Sequence, residues 1–375
     1  MFSSGLARWV YFIKDSAGMQ LIRAKFGKSL VLDAKNVVSG TTGGLFIVKK
    51  SKAMAMLTLG QGEYKGQAFI LYTGTTDLYD TVTDLNTGIK TSHTGSPIHQ
   101  GFYYAFDSTL MELRQFVSRL QAVHTVHCVG HSLGGALAAL AADWVRKNNA
   151  SLRVKLYTFG SPRVGLEMFA KTSTTRLLAQ NIYRVYHKTD PVPMVPTWPF
   201  FHAPTGGTDY LIHSPMGAIP WEYHRMRHYA ESAKKAGSWS TIQNNRPKTY
   251  LDSTVEQWLE SEGVVAFTAN SLELVNAALL YVIKKVLHAT GVVLVGAAAT
   301  TLTLLDRLAI FLAKAVEVSA ELSRWVYYLV RKMASMVGIV VKEGTSLTVA
   351  FIRLVFTRLY ERVANMVRQA GRDPQ

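Results

Sequence analysis

The period of the hydrophobic pattern changes along this chain, and the changes mark its elements. Leu45–Val48, Ala53–Leu59, Gln67–Thr73, Leu152–Phe159 and Asn181–His187 are short apolar runs of strand length. Between them, Phe102, Phe106, Leu110, Leu113 and Val117 recur at spacings of three and four, predicting a helix over Phe102–Leu120. Residues 126–145 read as a short apolar strand, a Gly130-x-Ser132-x-Gly134 turn and an Ala-rich helix. Strands alternating with helices predict an α/β fold, a mostly parallel sheet covered on both faces.

The flanks read differently. Residues 1–40 show no clear period, and Gly40–Gly44 reads as a turn or flexible break. From Asp190 to Trp221 the chain carries seven prolines and reads as a loop, with Trp198, Phe200, Phe201 and Trp221 set to fill core or dip into a membrane interface. A helix is expected around Trp221–Lys235, then a polar linker. Ser253–Glu256 has the pattern of a capping box opening a short helix that Gly263 ends. From Val264 the chain is rich in Val, Leu and Ala and reads as an all-α C-terminal extension. The division expected is an N-terminal segment 1–44, an α/β domain 45–235, a linker and short helix 236–263, and a basic apolar helical region 264–375.

Two stretches of that last region raise the question of a membrane. Val286–Leu305 is long enough to cross a bilayer core, but its threonines and glycines make it equally a buried bundle helix. Leu347, Phe351, Val355, Leu359, Val363 and Met366 form a drifting apolar stripe. Thirteen Lys and Arg stand against seven Asp and Glu from Val264 onward. Over all 375 residues, 41 Lys and Arg against 25 Asp and Glu give a formal net charge of +16. Such a balance suits an anionic membrane surface. Nucleic acid is not expected, because no zinc spacing, RNA-binding signature or dense basic helix is present. The lone Cys128 excludes an intramolecular disulfide and sits in an apolar strand, where inert burial is expected. The first residues lack a secretory signal pattern, so synthesis in the cytoplasm is expected.

The chemistry centres on Gly130-His-Ser-Leu-Gly134. Between a strand and a helix, this spacing makes a turn so tight that the flanking positions must be glycine, and it lifts Ser132 above the sheet as a nucleophile. A nucleophilic serine needs a base, an orienting acid and oxyanion donors. Asp190, at the end of the strand Tyr183–His187, fits the acid. His224 fits the base, with His228 one turn further as the alternative. His127 and His131 read as structural. The oxyanion donors expected are the backbone N–H of Leu133 and Thr75 after the strand that includes Phe69–Tyr72. No metal or cofactor is required.

At these residues the chain resembles the class 3, fungal-type lipases of the α/β-hydrolase fold. Leu71-Tyr-Thr-Gly-Thr75 is similar to the family's oxyanion strand, although Thr73 stands where arginine is usual. Asp80–Leu85, His99–Phe102, Thr158–Gly165 and Arg184–Pro193 follow in the family's order. The family's histidine commonly has a tyrosine five residues on, as His224 has Tyr229. The resemblance covers roughly residues 45–235 and implies a Ser132–Asp190–His224 triad, with a lid between Asp84 and His99. It implies a lipid substrate hydrolysed through an acyl-enzyme. By analogy the chain also resembles bacterial type VI lipase effectors, which implies export by a contact-dependent secretion system, action at a membrane and an immunity protein as partner. The competing expectations are a cytosolic esterase or lipid-mobilising lipase, and a lipid-binding or pore-forming protein on an inactive hydrolase scaffold.

Overall fold

A computed structural model describes residues 2–42, 50–74, 88–196, 199–206, 209–212, 221–243, 250–290 and 303–371. Its strands are β1 (Val37–Thr42), β2 (Lys50–Leu59), β3 (Gln67–Tyr72), β4 (Ile89–Thr91), β5 (Pro97–His99), β6 (Thr125–His131), β7 (Arg153–Phe159), β8 (Gly165–Leu166), β9 (Ile182–His187), β10 (Phe200–Phe201) and β11 (Tyr210–Ile212). Seven form the central sheet in the order β1-β2-β3-β6-β7-β9-β11. From β3 to β11 all pairings are parallel, and β1 and β2 add an antiparallel edge. This is the mostly parallel α/β sheet that the alternation of apolar runs predicts.

Register sets the position of the site. Tyr72 pairs with Gly130, Gly130 with Thr158, His131 with Phe159, and Phe159 with Val185. The chain therefore leaves β3, β6, β7 and β9 along one edge of the sheet, the carboxyl edge where open α/β sheets gather their ligands. The helix Leu133–Asn148 is buried along nearly its whole length against β3, β6 and β7. Its small residues allow that approach: a Cβ on Gly134 would lie 2.5 Å from the Tyr72 carbonyl oxygen.

The N-terminal forty residues are more ordered than their pattern suggests. Helices Phe2–Trp9 and Ser16–Phe26, with the 3-10 turn Val10–Phe12 between them, bury Leu6, Val10, Tyr11, Ile22 and Phe26 with Phe69, Val129 and Phe159 on one face of the sheet. Gly40–Thr42 continues β1 rather than turning. A Cβ on Gly40 would meet Met54 Sδ at 2.4 Å, so glycine there permits close packing. Residues 43–49, including the expected strand Leu45–Val48, lie outside the described residues.

The expected helix Phe102–Leu120 is two helices, Gln100–Asp107 and Leu110–Ser118. Ser108 Oγ bonds the Ala105 carbonyl at 2.8 Å, and Thr109 Oγ1 bonds that of Phe106 at 2.9 Å. Local side-chain bonds of this kind compete with the helical ladder and end it. The Ser253–Glu256 pattern also departs from expectation. The helix Asp252–Glu260 starts without a side-chain cap, and Glu256 takes the Tyr281 hydroxyl instead.

The C-terminal helices Ala269–Thr290, Leu304–Val318, Ala320–Met336 and Val349–Gly371 share one apolar core with the central sheet. Val355, Leu359 and Val363 of the apolar stripe are buried in it. Burying each such side chain contributes about 1.5–3 kcal/mol, which favours packing on the chain itself. Thr303 caps the helix Leu304–Val318 in a reciprocal box with Asp306. A helix N-terminus thus falls inside Val286–Leu305, and no single helix runs through to Leu305. Residues 291–302 of that stretch lie outside the described residues. Among the described residues, no helix is long and apolar enough to cross a membrane.

Candidate active site

Ser132 sits at the bend between β6 and the helix Leu133–Asn148, with φ 59° and ψ −131°. A positive φ is strained for serine, and the surroundings hold it there. The Ser132 N–H bonds the Phe159 carbonyl at 3.0 Å. A Cβ on Gly130 would lie 2.0 Å from the Gly134 carbonyl oxygen, so this bend closes only over glycine.

The expected base, His224, comes from the far side of the long proline-rich segment. Trp221–His224 is a single 3-10 turn, and the helix Met226–Ala236 starts afresh after Arg225, whose backbone is extended. The break separates His224 from His228, which do not share one helix face as the pattern suggests. His224 Nε2 lies 2.9 Å from Ser132 Oγ. His224 Nδ1 faces both Asp190 oxygens, at 2.9 and 3.1 Å. A carboxylate only accepts, so Nδ1 carries the proton and Nε2 accepts from the serine. His228 is partly exposed and lies near Glu231, its Nδ1 3.6 Å from Oε2.

Asp190 is fully buried and held by donors. The Val192 N–H bonds Oδ1 at 2.9 Å, and the Tyr229 hydroxyl bonds Oδ2 at 2.6 Å. Burial and the adjacent Asp190 charge push the Tyr229 phenol well above its ordinary range, so it stays a donor. Arg163 pins the loop beyond. Its backbone N–H bonds the Val195 carbonyl at 2.8 Å, and its Nη1 bonds the carbonyls of Met194 and Pro196.

Ser132, Asp190 and His224 are each fully shielded from solvent. Part of the cover is the C-terminal helix Val349–Gly371, which packs against Trp221–His224. The oxyanion candidate Leu133 follows Ser132 as the first helical residue. The other, Thr75, lies outside the described residues, which end at Gly74 on that side. Residues 88–99 of the segment expected as a lid form the hairpin β4–β5, tied by β8 into a four-stranded sheet with β10. Its turn is built by Ser92 Oγ, which accepts from the N–H groups of Thr94 and Ser96. Phe200 is buried beside His99. Trp198 lies outside the described residues.

His131, expected as structural, bonds His224 directly, and it does so together with a residue that no motif marks, Tyr11. His131 donates from Nε2 to the His224 carbonyl at 2.6 Å and accepts at Nδ1 from the Tyr11 hydroxyl at 2.7 Å. No local pattern links positions so far apart. His127, by contrast, bonds Gln67 Oε1 at 2.6 Å and stacks on Phe69, away from the serine. Among the described residues, no group of three or more His, Cys, Asp or Glu side chains could hold a metal ion.

Known proteins share this part of the chain. Residues 69–200 match the family described as Lipase (class 3). The chain is 34% identical over 148 residues to "Secreted mono- and diacylglycerol lipase 1" of Fusarium solani, covering 38% of this chain and 43% of that protein. It is 35% identical over 105 residues to "Toxin TseL" of Vibrio cholerae, covering 28% of this chain and 15% of the toxin. Among solved structures, the nonglycosylated LIP2 lipase of Yarrowia lipolytica has a TM-score of 0.42 at 20% identity, over 57% of this chain and 79% of that one. The chain spans less than half the length of these two curated relatives. The matched residues 69–200 end well before the C-terminal helices.

Proposed function

We propose that this chain hydrolyses carboxylic esters of lipids through an acyl-enzyme on Ser132. The observation that carries the proposal is the buried hydrogen-bonded line from Ser132 Oγ through His224 to Asp190. Ser132 Oγ attacks the ester carbonyl carbon and gives its proton to His224 Nε2. Asp190 holds the imidazole by Nδ1 and stabilises the imidazolium as it forms. The tetrahedral oxygen is assigned to the N–H of Leu133 and to Thr75. The C–O bond to the leaving alcohol then breaks, and that oxygen takes the proton from His224. Water attacks the acyl-enzyme, losing a proton to His224, and Ser132 regains its hydrogen as the fatty acid leaves.

The substrate class we propose is membrane lipid, and the setting is antibacterial. The likeness to Toxin TseL supports that setting, and so does the formal charge of +16 toward an anionic bilayer. With the apolar stripe buried, Arg353 and Arg358 of the last helix, exposed and paired with Asp306 and Glu361, are the groups assigned to lipid phosphates. An enzyme of this kind endangers its producer, so a neutralising immunity protein is part of the proposal.

The test is lipid mass spectrometry of bacterial membranes exposed to the wild type and to Ser132→Ala. Free fatty acid and lysolipid should accumulate only with the wild type. A serine-reactive phosphonate should label the wild type alone. Equal lipid profiles from the two proteins would remove the hydrolase reading.

A further inference from the structure

We infer that Tyr11, through His131, is a positioning residue that fixes the base His224 against Ser132; this rests on the hydrolase reading above. Three groups form one directed chain. The Tyr11 hydroxyl donates to His131 Nδ1 at 2.7 Å, and His131 Nε2 donates to the His224 carbonyl at 2.6 Å. The polarity is forced from one end. A carbonyl only accepts, so His131 carries its proton on Nε2, and Nδ1 is left to accept from the phenol. Aligned donors in a dry interior polarise and strengthen one another.

The position of His224 explains why such a chain is needed. His224 ends a single 3-10 turn, and Arg225 breaks the backbone directly after it. A long helical ladder does not hold this carbonyl; His131 does. Tyr11 in turn joins three separate parts of the site. Gly74 leads to the oxyanion candidate Thr75, His131 precedes the nucleophile, and His224 is the base. A Cβ on Gly74 would lie 2.0 Å from the Tyr11 oxygen and 3.0 Å from the His131 carbonyl oxygen, so this junction closes only over glycine. Tyr11 and His131 are both almost fully buried. Burial and the nearby His224 hold the His131 imidazole neutral, well below its ordinary range. Its ring, 4.6 Å from that of His224, therefore adds no second positive charge when the base takes a proton.

The experiment compares wild type, Tyr11→Phe and Phe26→Leu as full chains. Phe26 lies in the same N-terminal segment, outside the site, and serves as the control for packing. Each is assayed on a soluble short-chain nitrophenyl ester, by the rate of phosphonate labelling and by Tm. Tyr11→Phe should lower kcat by about tenfold or more and slow labelling by a like factor, with KM within about twofold, because small misplacement of a catalytic group costs up to about a hundredfold. Phe26→Leu should lower Tm and leave kcat within about twofold. Retention of kcat by Tyr11→Phe overturns the proposal, and so does a parallel loss of kcat and Tm in both variants. A wild type that neither hydrolyses nor labels overturns the hydrolase reading first, and the proposal with it. If Tyr11→Phe does not fold, nitrogen NMR of the wild type decides. His131 must be neutral at pH 7 with its proton on Nε2, and any other state overturns the proposal.

Discussion

The Tyr229 hydroxyl donates to Oδ2 of Asp190 at 2.6 Å and accepts from the His187 N–H at 3.1 Å. It ties Asp190 to the end of β9 while the carboxylate also holds His224. Tyr229→Phe keeps the ring and removes both bonds. A net hydrogen bond contributes about 0.5–1.5 kcal/mol, and more when one partner is charged. We expect a stability loss of about 1–2 kcal/mol by urea unfolding and roughly a tenfold fall in kcat. Unchanged kinetics would show that Asp190 holds its geometry without Tyr229.

Gly160 leaves the space that this carboxylate occupies. Its φ is 53°, and an added Cβ would lie 2.7 Å from Asp190 Oδ2 and 3.0 Å from the Tyr229 hydroxyl. Gly160→Ala should therefore combine backbone strain with a displaced acid. Expected are a loss of about 2 kcal/mol or more in thermal unfolding and loss of most esterase activity.

Ser132 carries its own strain. Both Ser132→Ala and Ser132→Gly remove the hydroxyl, so both should abolish hydrolysis and phosphonate labelling. Only glycine adopts φ 59° with ψ −131° freely. Ser132→Gly should be the more stable of the two by about 1 kcal/mol, after its larger unfolded-state entropy is counted. Equal midpoints in urea would mean that the bend stores no strain.

Stability should fall in acid before carboxylates titrate. Burial lowers His99 to about 3 and His127 to about 4, both below the ordinary 6.5. Below pH 6.5 the unfolded chain takes up protons that the folded chain refuses. Stability is thus fully present above that value and is lost as pH falls toward 4, by about 1.4 kcal/mol per pH unit for each such histidine. His127→Gln should flatten the slope of unfolding free energy between about pH 4.5 and 6 by about one proton. An unchanged slope would locate the acid sensitivity elsewhere.

The C-terminal helices should unfold with the catalytic sheet. Ile352 of the helix Val349–Gly371 is fully buried in the core that also contains Leu137 and Val195. Ile352→Ala should cost about 2–4 kcal/mol. Calorimetry should show one transition, lowered as a whole, with esterase activity lost at the same temperature. A separate low-temperature transition for the tail would mean two independent cores.

Local pattern carried much of the architecture. The apolar runs marking β3, β7 and β9 are strands because a sheet covered on both faces needs continuous hydrophobic stretches. The bend at Ser132 was legible because steric exclusion at Gly130 and Gly134 acts over a few residues. Elsewhere local pattern misled. The stripe Phe102–Val117 has helical period, yet Ser108 and Thr109 divide it with their own hydroxyls. The first forty residues showed no period because two short helices bury only part of one face each.

By itself, then, the sequence determined the α/β class, the strand–turn–helix around Ser132 and the residue types from which a catalytic line can be built, since these depend on neighbours in the chain. Tertiary structure alone decided that His224 meets Ser132 while His228 lies beside Glu231, because the backbone break at Arg225 sends them apart. It alone brought Tyr11 to His131 and folded the apolar stripe of the last helix inward. Those contacts join residues far apart in sequence, and their geometry follows from how the whole core packs.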